Sequence, residues 1–133
     1  MRRLLLLIFV GVACEPLTEE SSVEENDIYH GRLTIASGNY EAIRFTPQSG
    51  DSILGGARRN SGSAFTFFWA TESEYNEWVS SGDKNGLNDY SENVSSVNVA
   101  GSITSGGNYY VVFSATGGQT NLDVRFKTRR WKE

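Results

Sequence analysis

From Ser96 onward, Val97, Val99, Gly101 and Ile103 alternate with Ser96, Asn98, Ala100 and Ser102, the period of two expected of a strand with one buried face. Leu122, Val124, Phe126 and Thr128 alternate in the same way with Asp123, Arg125, Lys127 and Arg129, so one face of that strand meets a core and the other meets solvent or a ligand. Asn108 to Phe113 is apolar on both sides and rich in aromatic and β-branched residues, which predicts a central strand covered on both faces. Phe65, Phe67 and Trp69, opposed by Phe68, predict a second. Further strands are predicted over Gly31 to Ile35, Tyr40 to Thr46 with Ile43 and Phe45 inward, and Ser52 to Arg58. Turn-forming runs separate them: Ser37-Gly38-Asn39, Pro47 to Gly50, Asn60 to Ser63, Ser105 to Asn108 and Thr116 to Gln119. Roughly ten residues per strand and turn predict an all-β fold, a single antiparallel β-sandwich of seven or eight strands. One segment breaks the rhythm. Between Thr71 and Ser81, Tyr75, Trp78 and Val79 fall at i, i+3 and i+4, which predicts a short amphipathic helix capped by Thr71 or Ser73 and ended by Gly82.

The first residues follow another logic. Arg2 and Arg3 precede an apolar run from Leu4 to Val12, the layout of a secretory signal. Nine helical residues reach about 14 Å against roughly 30 Å of hydrocarbon, too little to span a bilayer. Gly11-Val12-Ala13-Cys14 resembles the lipobox of bacterial lipoproteins, although Gly11 stands where Leu is usual. The resemblance implies cleavage after residue 13, a diacylglyceryl group on the Cys14 thiol and acylation of the new amine. Several acyl chains on one residue anchor a protein stably. By the same resemblance Glu15, in place of the Asp of retained lipoproteins, favours the outer membrane. The remaining alternative is an ordinary secretory signal with an incidental Cys.

Charge then marks a second boundary. Glu15, Glu19, Glu20, Glu24, Glu25 and Asp27 give residues 15–27 six negative charges and no positive one, while residues 28–133 carry ten acidic and ten basic side chains. A stretch so acidic and poor in apolar residues predicts a solvated tether. The expected organisation is a signal over 1–13, lipidated Cys14 and tether over 14–27, and the sandwich over 28–133.

Several segments also carry a family resemblance. Phe67-Phe68-Trp69-Ala70, then Thr71-Glu72-Ser73-Glu74-Tyr75-Asn76-Glu77-Trp78, then Ser105-Gly106-Gly107-Asn108-Tyr109-Tyr110-Val111-Val112-Phe113, and the closing Asn121-Leu122-Asp123-Val124 resemble the GOLD-like β-sandwich domains of secreted prokaryotic proteins. The resemblance covers roughly residues 28–130 and rests on structural motifs. It implies a jelly-roll-like, non-catalytic extracellular module for interaction or accessory work.

The residues themselves offer little reactive chemistry. A single Cys excludes a disulfide-stapled scaffold and a cysteine-ligated metal site, and 133 residues exclude a multidomain enzyme. His30, the one histidine, stands in no catalytic motif. Glu72, Glu74, Glu77, Asp83, Asp89 and Glu92 cluster in sequence as a glycosidase pair requires, but on a helix and a loop. Asp83, Asn85 and Asp89 have oxygen ligands at calcium-like spacing; Gly86 falls too early for an EF-hand, and Lys84 adds a positive charge. The alternative there is an Asx/Gly turn, and no cofactor is expected. Asn93-Val94-Ser95 fits the glycosylation triplet, which means little in a bacterial lipoprotein.

Two features remain as binding determinants. Arg125, Lys127, Arg129, Arg130 and Lys132 crowd the C-terminus, three of them on one outward face. They suit anionic headgroups, the chain's own acidic segment or an acidic partner; a charged edge strand that resists aggregation is the plainer alternative, and nucleic acid fits poorly with net charge -4. Aromatic rings are the other feature. Tyr75, Trp78, Tyr90, Tyr109, Tyr110 and Trp131 exceed what a small core needs, so Trp78, Tyr90 and Trp131 are candidate contacts for sugar or protein, unless they pack the helix. The expectation is a lipid-anchored envelope protein with a non-catalytic binding or assembly domain and a protein or glycan partner. The alternatives are a carbohydrate-binding module and a small hydrolase.

Overall fold

The computed structural model describes residues 22–132; the signal segment, Cys14 and the first part of the acidic stretch lie outside the described residues. Eight strands and one helix follow in the order β1 (Ser22–Ile35), β2 (Asn39–Phe45), β3 (Ser52–Gly62), β4 (Phe65–Thr71), α1 (Glu72–Ser81), β5 (Asn88–Val94), β6 (Ser96–Ser102), β7 (Tyr109–Ala115) and β8 (Thr120–Lys132). They form two sheets of order β1-β8-β3-β6 and β2-β7-β4-β5, with every pairing antiparallel. The pairs β1·β8, β2·β7, β3·β6 and β4·β5 match the first half of the chain, strand by strand, with the second half in reverse. That is one long hairpin wrapped around a core, the jelly-roll form of the predicted β-sandwich.

The alternation read from sequence explains why the two sheets face each other. Leu122, Val124, Phe126 and Thr128 of β8 are buried, as are Ile53 and Ala57 of β3, Val99 of β6, and Phe65, Phe67 and Trp69 of β4. Phe67 stacks on Phe126 across the core with centroids 5.4 Å apart and lies 5.3 Å from Phe113, its neighbour on β7. Each such ring contributes about 1.5–3 kcal/mol by leaving water. Trp69 is fixed at one end, its indole N–H donating to Asp89 at 2.7 Å.

The predicted helix covers the outer face of the β2-β7-β4-β5 sheet. Thr71 caps it: its hydroxyl accepts from the Glu74 amide while the Glu74 carboxylate accepts from the Thr71 amide, and Gly82 closes it at φ 76. Tyr75 stacks on Tyr110 at 4.2 Å, and Trp78 meets Phe68 edge-on at 4.9 Å and Tyr40 at 5.1 Å. Phe68, Ala70 and Val112 are thereby fully buried. Val79, expected on the packing stripe, is instead 50% exposed, because Tyr75 and Trp78 already span the narrow contact.

Three expectations are corrected. Residues 22–27, assigned to the tether, form the first half of β1 and so belong to the sandwich; Glu24 and Glu25 find cations on β8, which the segment's own composition cannot reveal. β8 is not an edge strand, since β1 and β3 flank it. Asp89 and Glu92, expected on a loop, belong to β5. It pairs with β4 through two register shifts and holds Asp89 and Asn93 at positive φ, which erases any period of two.

Candidate binding face

Among the described residues, no helix covers the outer face of the β1-β8-β3-β6 sheet. Its side chains stand in rows set by strand register. Arg32, Asp123, Arg58 and Ser96 make one row; His30, Arg125, Gly56 and Asn98 make the next; Lys127, Leu54 and Ala100 share the one after. These rows line an open groove of about 950 Å³. It crosses four strands, about 14 Å at ordinary strand spacing.

Gly56 creates the groove's depth. It is the one position of its row without a side chain, between Arg125 and Asn98. A Cβ there would come within 2.6 Å of the Val97 carbonyl oxygen. Gly55, at φ 151, is likewise excluded from carrying a side chain, since its Cβ would lie 2.2 Å from the Arg125 carbonyl oxygen. The paired glycines let β3 approach both neighbours closely and leave a vacant seat on the sheet.

The cations around this seat divide into held and unheld ones. Arg130 makes a two-pronged bond with Asp51 at 2.8 and 3.0 Å, and the Gln48 amide donates to the same carboxylate at 2.9 Å. Asp51 is 1% exposed; the Arg130 guanidinium holds its carboxyl below the usual range against the opposing effect of burial. Lys127 and Arg129 grip Glu25 at 3.0 and 2.9 Å, and their hydrogen bonds lower its pKa. Arg32 bonds Asp123 at 3.1 Å. Among the described residues, Arg58 and Arg125 have no ion-pair partner.

The sequence candidates are thus separated. Arg125 lines the groove unpaired, Lys127 lines it paired, Arg129 is paired along the strand, and Arg130 is a structural anchor. Of the three destinations weighed for the basic cluster, the chain's own acidic segment occupies most of it. Trp78 and Tyr90 both pack against Phe68 in the helix-covered layer. Tyr90 also donates to Glu92 at 2.7 Å, with Lys84 5.2 Å above its ring. Trp131, 65% exposed, sits opposite Val23 where β1 and β8 run on past β3 as a ribbon. The three candidate rings therefore form no shared platform.

The loop carboxylates are engaged locally. Asp83 accepts from the Asn85 amide at 3.0 Å in an Asx turn, and Asp89 holds Trp69. Among the described residues no three His, Cys, Asp or Glu side chains converge as metal ligands. His30 is exposed and, among the described residues, its ring has no hydrogen-bond partner, so it orients no hydroxyl nucleophile. Arg58, Asn98 and Gly56 were not singled out from sequence. Two adjacent glycines inside a predicted strand are the signal that points to them.

No family model matches the chain, and no curated protein matches it. Among solved structures it is similar to the pre-peptidase C-terminal domain of the collagenase from Bacillus anthracis, with a TM-score of 0.46 and 14% identity over 80% of this chain and 88% of that one. It is similar also to Aeromonas hydrophila PliG, a periplasmic lysozyme inhibitor of g-type lysozyme, with a TM-score of 0.46 and 6% identity over 88% of this chain and 92% of that one.

Proposed function

We propose that this chain is a lipid-anchored, non-catalytic binding module of the cell envelope, tethered through Cys14 and meeting a protein partner on the outer face of the β1-β8-β3-β6 sheet. The observation that carries the reading is the open groove lined by Arg58 and Arg125, which have no ion-pair partner among the described residues. Exposed arginines beside apolar stems are frequent anchors of protein interfaces, and an uncovered sheet face presents them without rearrangement. From Cys14 to Ser22 the chain spans at most about 28 Å, so the domain would stand close to the bilayer. The ribbon end bearing Val23 and Trp131 would then lie nearest the anchor. The lipobox resemblance supports this location, with the outer membrane the favoured destination.

A carbohydrate-binding reading is less well supported, because among the described residues no aromatic ring lines the groove and Trp78 and Tyr90 are packed in the helix-covered layer. A hydrolase would need His30 or two carboxylates to converge with a nucleophile or a water, and His30 stands instead among cations. The test is fractionation with in-cell cross-linking. The native chain should sediment with membranes and carry a reproducible protein adduct; Cys14→Ser should be released and lose it. A Cys14→Ser chain that still needs detergent for release contradicts the anchor.

A further inference from the structure

We infer that the vacant seat over Gly56 receives a glutamate or aspartate side chain from the partner protein, with its carboxylate bridging Arg58 and Arg125. The inference rests on the preceding reading of this face as a protein-binding surface and supplies the chemistry of the contact.

The seat is defined by what surrounds it. Gly56 lies between Arg125 on β8 and Asn98 on β6 in register, while Leu54 and Arg58 are its outward neighbours along β3. All four, with Val97, line the same groove. Its charge is one-sided. Of Arg32, Arg58, Arg125 and Lys127, Asp123 holds Arg32 at 3.1 Å and Glu25 holds Lys127 at 3.0 Å, and the other two have no ion-pair partner among the described residues. Two guanidiniums without ion-pair partners among the described residues, beside Leu54, match one ligand shape: a short aliphatic stem ending in a planar anion. A carboxylate accepts paired N–H bonds from arginine. The floor is the backbone of Gly56, so a partner side chain would lie above it, between the taller side chains of Arg125 and Arg58. Elsewhere on this sheet the chain treats its own carboxylates in the same way, with Glu25 gripped by Lys127 and Arg129 and Asp51 by Arg130.

A neutral sugar lacks the charge this arrangement selects and finds no ring to stack on. An acidic glycan shares the carboxylate but not the aliphatic stem that Leu54 would contact. Charge complementarity together with the side-chain-sized seat therefore favours an acidic protein loop.

The test uses the full chain, purified in non-ionic detergent and labelled for amide NMR. It is titrated with the capped peptide Gly-Ser-Glu-Glu-Ser-Gly, its Gln-Gln twin, and a galacturonate oligomer. The inference expects saturable shifts confined to Leu54, Gly56, Arg58, Val97, Asn98 and Arg125 with the Glu peptide, and at least tenfold weaker binding of the Gln twin. Arg58→Glu and Arg125→Glu should each abolish the shifts, whereas Arg44→Glu, the same charge change at an exposed position of β2 on the other sheet, should leave them intact. Equal binding of both peptides, or shifts spread over α1, would overturn the seat. Tighter binding of the galacturonate oligomer would overturn its assignment to a protein side chain. These outcomes do not depend on Cys14, so a failed anchor and a failed seat are distinguishable.

Discussion

Arg125 and Arg130 occupy the same basic run, yet their surroundings give them opposite roles. Arg130 neutralises a carboxylate that is 1% exposed, while Arg125 has no ion-pair partner among the described residues. Asp51→Ala should cost roughly 2–3 kcal/mol, since charged hydrogen bonds to a buried group are lost. Arg130→Ala should cost more, because it strands the Asp51 charge; Arg125→Ala should stay within about 0.5 kcal/mol of the parent. Urea denaturation of the three variants checks the order. An Arg125→Ala protein as destabilised as the Asp51→Ala protein would make Arg125 a structural residue. Sequence periodicity places Arg125, Lys127 and Arg129 on one face correctly. It cannot tell which of them is paired, because Glu25 and Asp51 are far away in the chain and reach β8 only through strand order.

Elements show the same division between local and long-range information. The strands with a strict period of two, β6 and β8, and the both-sides-apolar β4 and β7, are legible because burial alone dictates them. The acidic half of β1 and the bulged β5 are not: the first is held by charges on another strand, the second by irregular pairing. Glu25 and Asp51 give β1 and its surroundings a pH dependence of known sign. Their folded pKa values lie below the ordinary carboxylate range near 4, so the stability they contribute is complete above that range and is lost as pH falls through the folded values. Urea midpoints should therefore drop below about pH 4, and Glu25→Gln with Asp51→Asn should flatten the profile. An unchanged profile in that double variant would remove these carboxylates from the acid response.

Helix α1 is a second test at this scale. Trp78 joins Phe68 to Tyr40, so Trp78→Ala should cost about 2 kcal/mol, while Val79→Ser at an exposed position should be nearly silent. Thermal unfolding followed by near-ultraviolet circular dichroism reads both. Equal losses would mean that the helix packs on a wider stripe. The helical spacing of Tyr75 and Trp78 is readable in the sequence, and so is the competing possibility that their rings bind a ligand. Only their contacts with Tyr110, Phe68 and Tyr40 decide for packing.

Across the whole molecule the two sheets are treated unequally. One outer face is sealed by α1 and its aromatic side chains; the other is open, cationic and hollowed at Gly56. His30 and Arg125 are visible in the sequence as a lone histidine and one of several cations, but their shared row with Gly56 and Asn98 exists only once β1, β8, β3 and β6 lie side by side. The most direct measurement places a photo-crosslinking amino acid at Asn98, on the open face, and in a second strain at Asn76, on the helix, and identifies adducts formed in living cells. The account predicts a discrete protein adduct from position 98, absent from position 76 and lost with Cys14→Ser. Adducts from position 76 alone, or from both faces alike, would contradict it.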